Sequence, residues 1–166
     1  LGASWNDQHE EHPMPAFPIV TLKPEPFAYI TMTTPMSDIA QAMGQGFDRL
    51  GAAFGQSGAR MAGMPMCHYT AYDEKTTTFE LGFPARPDEL DKLKAAGLQT
   101  GQTPSGRNMK AVHMGPYDTV VQTYNAMTEE MKARGRTAAQ DMWEVYYSPP
   151  DSPPEQIKTE ILWPVQ

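Results

Sequence analysis

An internal echo constrains this chain more than any other feature. Glu80-Leu81-Gly82-Phe83-Pro84-Ala85 lies eighty positions before Glu160-Ile161-Leu162-Trp163-Pro164-Val165. Pro35 stands before a first helical stripe, and Pro116 stands before a second. Each half reads as strand, helix, strand, strand. A unit of that kind covers one side of its strands with its own helix and must share the remaining surface with its twin. The echo predicts an α+β fold of two such units, about residues 25–86 and 107–166, related by a pseudo-twofold axis. One antiparallel sheet then carries two helices on one face, with a ligand cleft between the units.

The elements follow from local pattern. Phe27 to Thr33 is β-branched and aromatic, as strands are. After Pro35, with Thr34 or Ser37 as cap, Ile39, Met43, Phe47, Leu50 and Phe54 recur at steps of four, four, three and four, one apolar helical stripe. Gly44, Gly46, Gly51 and Gly55 in that helix suggest close packing on a sheet or a loosened last turn. Met66–Tyr72 and Thr77–Phe83 read as a hairpin around Asp73-Glu74-Lys75. Asp88 to Ala96 is a short helix stopped by Gly97, and Thr100 to Arg107 reads as a polar loop between the halves. Asn108 to Met114 is a strand. Tyr117, Val120, Tyr124, Met127 and Met131 form the second helical stripe, at steps of three, four, three and four.

Residues 1–24 read as a proline-broken arm, in which Ile19–Leu22 can dock as a short strand. His9 and His12 flank two carboxylates there, but lack the spacing of a helical zinc motif, so no metal is expected. A single cysteine, Cys67, excludes an internal disulfide and a cysteine-built metal site. The net charge of −7 and the lack of a basic helix argue against direct nucleic-acid contact. No apolar run is long enough for a membrane span and no signal peptide is visible, which points to a soluble, cytoplasmic domain with no membrane partner. Twelve methionines supply adaptable apolar surface, as cores and permissive binding surfaces both do.

The stretch Trp143-Glu144-Val145-Tyr146-Tyr147 carries the functional signal. As a strand it places Glu144 and Tyr146 on one face and Trp143, Val145 and Tyr147 on the other. A carboxylate among such neighbours must reach water, find a buried partner, or await a ligand that supplies one. The twin strand carries Cys67 at the equivalent position, so the paired cleft holds one charge.

His113-Met114-Gly115-Pro116-Tyr117-Asp118, Trp143-Glu144-Val145-Tyr146, Thr159–Val165 and Glu80-Leu81-Gly82-Phe83-Pro84 together resemble the GyrI-like family. That family includes effector-binding domains of AraC- and MerR-type multidrug-sensing regulators. The resemblance covers about residues 24–166 and implies a hydrophobic cleft in which Glu144 receives lipophilic cations. The expected lining adds Trp143, Tyr146, Tyr69 and His68, with His113, Tyr117, Phe83 and Trp163 around them. His68 departs from the more aliphatic strand of relatives. The partner is then a small lipophilic, cationic or aromatic molecule, no cofactor is needed, and a homodimer is left open. Some members hydrolyse cyclopropane-bearing natural products with the matching Glu. An enzyme alternative therefore keeps the cleft and makes Glu144 an acid or base, with Tyr146 or His113 as its partner. A weaker alternative is haem, with His113 or His68 as axial ligand.

Overall fold

The computed structural model describes residues 17–149 and 151–166. The His9/His12 pair lies outside them. Eight strands form one sheet: β1 (Ile19–Leu22), β2 (Pro26–Pro35), β3 (Met66–Tyr72), β4 (Thr76–Pro84), β5 (Gln99–Gln102), β6 (Gly106–Met114), β7 (Met142–Tyr146) and β8 (Lys158–Pro164). Their order is β1-β6-β8-β7-β3-β4-β2-β5, and every pairing is antiparallel. From the β7/β3 seam outward the strands read β7, β8, β6 on one side and β3, β4, β2 on the other. The helices are α1 (Ile39–Ser57), α2 (Leu90–Ala95) and α3 (Val120–Ala133).

Both long helices pack on the same face. Leu50 and Phe54 of α1 are buried with Ala28, Leu81 and Phe83, while Met127 and Met131 of α3 are buried with Met109, Ala111 and Ile161. These are the stripes the helical period selects. Of the α1 glycines only Gly46 meets the sheet closely, where a Cβ would come within 2.9 Å of Leu81 and 3.0 Å of Met32. Gly44, Gly51 and Gly55 face open space and answer no packing demand. Neither Thr34 nor Ser37 caps α1: its entry is a 3-10 turn, Met36–Asp38, without a side-chain cap bond. The stretch read as a polar loop contains β5, which pairs with β2, and the start of β6. Polar side chains are tolerated in β5 because it is an edge strand.

Two short links reveal the shape of the sheet. β1 and β2 stand first and seventh in the order, about 29 Å apart were the sheet flat. Only Lys23, Pro24 and Glu25 join them, a reach of at most about 14 Å. Thr103–Ser105 make the same crossing from β5 to β6. The sheet therefore curls until its two edges nearly meet at this end. Curling explains why Phe27, Met66, Trp143, Val145 and Leu162 are buried on the face that carries no helix.

Candidate functional site

β7 is buried along its whole length, and its alternation holds. Glu144 and Tyr146 turn toward the helices; Trp143 and Val145 turn into the curl. Glu144 pairs with Cys67 of β3 on one side and Ile161 of β8 on the other, so it sits at the seam of the two halves. It is only 5% exposed.

Three tyrosine hydroxyls donate to this carboxylate. Tyr146 donates to Oε1 at 2.7 Å and Tyr69 donates to the same oxygen at 3.2 Å. Tyr124, reaching down from α3, donates to Oε2. Among the described residues Glu144 has no ion-pair partner. Burial pushes its carboxyl above the usual range, against the pull of the hydroxyls of Tyr124, Tyr146 and Tyr69. Burial first, and then the Glu144 charge, push the Tyr69 and Tyr124 phenols well up. The Tyr146 phenol rises too, from burial and then the neighbouring Cys67 and Glu144. Cys67, fully buried, is raised by desolvation and by Glu144. The result is an acid enclosed by neutral donors.

Aromatic rings close the site from outside. Phe47 of α1 and Tyr117, in the 3-10 turn before α3, meet the Tyr146 ring edge-on at 6.1 and 5.8 Å. Trp163 meets Tyr124 edge-on at 5.8 Å and donates its Nε1–H to the Ala139 carbonyl at 2.9 Å. Thr159, paired with Tyr146 across β7 and β8, has a buried hydroxyl without a hydrogen-bond partner among the described residues.

The expected lining divides accordingly. Tyr146, Tyr69, Tyr117 and Trp163 gather around Glu144, directly or through one ring. Trp143 and His68 do not, because each is one residue out of phase with the Glu144 face. They stack on each other at 4.0 Å inside the curl. There His68 is held by Glu80 through Nδ1 at 2.9 Å and by Asp141 through Nε2 at 2.8 Å. Phe83 packs on Phe54 under α1, in the core of its own half. His113 does share the helix face, but its Nδ1 is engaged by Thr123 at 2.7 Å and its Nε2 by Pro116 O and Thr119 Oγ1, both at 3.1 Å. It fastens the turn into α3. Tyr124, Phe47 and Thr159 are the additions. Tyr124 carried a sequence signal, since a tyrosine on an apolar helical stripe needs somewhere to send its hydroxyl. No cluster of His, Cys, Asp or Glu among the described residues is suited to a metal ion. No helix among them is long and apolar enough to cross a membrane.

A curled antiparallel sheet with helices on one face, holding an acid beneath aromatic rings at the seam, defines an α+β domain of the small-molecule-binding class. The chain belongs to the GyrI-like small molecule binding domain family, whose model matches residues 15–166. No curated protein matches its sequence. Among solved structures it is similar to the EcmrR C-terminal domain, at 14% identity and a TM-score of 0.72, over 90% of this chain and 96% of that one. It is also similar to SAV2435 bound to tetraphenylphosphonium, at 16% identity and a TM-score of 0.66, over 90% and 93%. A Listeria innocua hydrolase encoded by lin2189 matches at 16% identity and a TM-score of 0.64, over 97% of each chain. At these identities the likeness is one of fold.

Proposed function

We propose that this domain binds lipophilic cations, with Glu144 receiving the charge and Tyr69, Tyr124, Tyr146, Tyr117 and Phe47 receiving the apolar body. It would serve as a sequestering protein or as the sensor part of a regulator. The observation that carries this reading is a carboxylate 5% exposed that is met by three hydroxyls and, among the described residues, by no cation. Such an acid is costly to keep ionised, and a cation placed against aromatic faces relieves that cost. The tetraphenylphosphonium bound to SAV2435 supports the choice of chemistry. Entry requires the rings over Glu144 to part, and Tyr117 is the exposed one, at 47%.

The test is calorimetric titration with tetraphenylphosphonium and with neutral triphenylphosphine oxide. Glu144→Gln keeps the shape and removes the charge. The cation should weaken by about 1 to 3 kcal/mol while the neutral ligand holds. Equal losses for both, or no binding of the cation by the parent protein, would overturn the reading.

A second reading rests on the 2.7 Å bond between Tyr146 and Glu144. Burial keeps a proton on each group at higher pH than usual, which suits general acid–base work on an electrophile such as a strained cyclopropane. The Listeria hydrolase supports it by fold. Turnover followed by mass spectrometry, lost in Glu144→Gln with binding retained, distinguishes it. Haem has the weaker footing, since both ring nitrogens of His113 and of His68 are engaged, and either residue would have to free one of them to serve as a ligand.

A further inference from the structure

On the opposite side of the sheet from Glu144, the curl forms a second space, open to solvent. The two crossing links lie side by side there, tied by Thr103 N–H to Glu25 O and Glu25 N–H to Thr103 Oγ1, each at 2.8 Å. Beneath them is a cavity of about 240 Å³. Leu22, Met66, Val145 and Leu162 give it apolar walls, and they belong to the cluster that fills the curl. Met64, 48% exposed, stands at its mouth.

The polar groups of this space are unequal in charge. Glu160 projects into it from β8 and is itself 9% exposed. Its Oε2 lies 3.3 Å from Lys110 Nζ, a side chain 40% exposed, and the Tyr147 phenol, also in the lining, is raised by burial and then by the Glu160 charge beside it. Glu25, on the crossing link, is a second acid and has no ion pair among the described residues. Lys23 is the one basic residue in the lining. Two carboxylates over an apolar floor favour a positive head on an apolar body. The volume falls below the ~300 to 1,000 Å³ of sites for drug-sized ligands. One ring with a short side arm is the size it admits.

We propose that the curl is a second binding site, separate from Glu144, for compact primary amines with a single apolar ring, the ammonium meeting Glu160 and the ring lying on Met66, Val145 and Leu162.

Benzylammonium is the probe, followed by amide chemical shifts of the full chain at neutral pH, with benzoate and benzyl alcohol as comparisons. Benzylammonium should shift the amides of Leu22, Met66, Val145 and Leu162, and the comparisons should bind much more weakly. Glu160→Gln should weaken it about tenfold or more, the scale of losing a charged hydrogen-bond partner. Met64→Trp, a change at an exposed rim position, should block it without touching the core. Glu144→Gln should leave it unchanged, which keeps this site distinguishable from the one proposed above. Loss in Glu144→Gln would assign the amine to that other site and overturn the proposal. Equal binding of benzoate would overturn it as well, as would no effect of either Glu160→Gln or Met64→Trp.

Discussion

Removing one hydroxyl from the shell of Glu144 tests the site without removing its charge. The three donors are not equivalent: Tyr69 and Tyr146 share Oε1, whereas Tyr124 is the sole donor to Oε2 among the described residues. Tyr124→Phe therefore leaves a carboxylate oxygen bare in a side chain that water hardly reaches. A hydrogen bond to a charged group is worth about 1.5 to 3 kcal/mol, and the orphaned oxygen retains its desolvation cost. Tyr124→Phe should cost about 2 to 3 kcal/mol, and Tyr69→Phe, which removes the longer of two bonds to Oε1, about 1 kcal/mol or less. For a domain of this size the larger figure lowers the Tm by roughly 5 to 10 °C. Urea unfolding repeated as the pH is lowered gives the second check, because protonating Glu144 removes the charge that needs the donor; the cost should shrink as pH falls through the raised Glu144 value. In a Glu144→Gln background the amide nitrogen can face Tyr124 and donate to its hydroxyl. The double-mutant cycle should then show a coupling of about 1 kcal/mol or more. Equal costs for the two Tyr→Phe variants, or zero coupling to Glu144, would refute this account.

Three further outcomes follow from the same structure. Burial works against a charge on His68, but Glu80 and Asp141 outweigh it and hold its pKa above the ordinary value. The stability it contributes is complete below the unfolded value near 6.5 and is lost as pH rises through the raised folded value; His68→Gln should flatten that decline in a pH series of unfolding curves. Glu144 has a raised folded pKa, so its ionisation lowers stability as pH climbs from about 4.5 through that value; Glu144→Gln should be at least as stable as the parent above that value and lose less stability across the interval. Gly44→Ala, Gly51→Ala and Gly55→Ala should each raise stability by about 0.5 to 1 kcal/mol in thermal unfolding, while Gly46→Ala, which crowds Leu81 and Met32, should not.

The fold was legible wherever side-chain period and burial coincide. The stripes Ile39–Phe54 and Val120–Met131 announce their helices because an amphipathic helix must bury one face, and the eighty-residue echo orders the strands in each half. β5 was hidden because an edge strand carries polar residues that look like a loop. The curl was hidden for a different reason. It follows from the lengths of two links, and those lengths mean nothing until the strand order is known. In the site, alternation alone sorts Glu144 and Tyr146 from Trp143, and applying it strictly would have moved His68 to the far face through its pairing with Trp143. Tyr124 and Phe47 come from two different helices. Their convergence on Tyr146 and Glu144 is a product of packing, which no local pattern encodes.

The way this chain treats its other enclosed acids sharpens the meaning of Glu144. Glu80 and Asp141 are bound to His68 at 2.9 and 2.8 Å, and Glu160 has Lys110 at 3.3 Å. All three lie on the curled side or at its rim, one residue out of phase with the Glu144 face. Each of these acids has a nearby cation, which at Glu160 engages Oε2 alone, and removing one partner of such a pair is strongly destabilising. Glu144 is the most deeply enclosed of the four, yet it receives hydroxyls alone. Hydroxyls can stabilise a carboxylate while leaving its charge uncancelled, and they can turn away when a cation arrives, since each is a rotor on a ring that also offers a face. A lysine in their place would stabilise the empty domain and compete with any positive ligand. The contrast supports reading the missing cation at the seam as room for one that comes from outside.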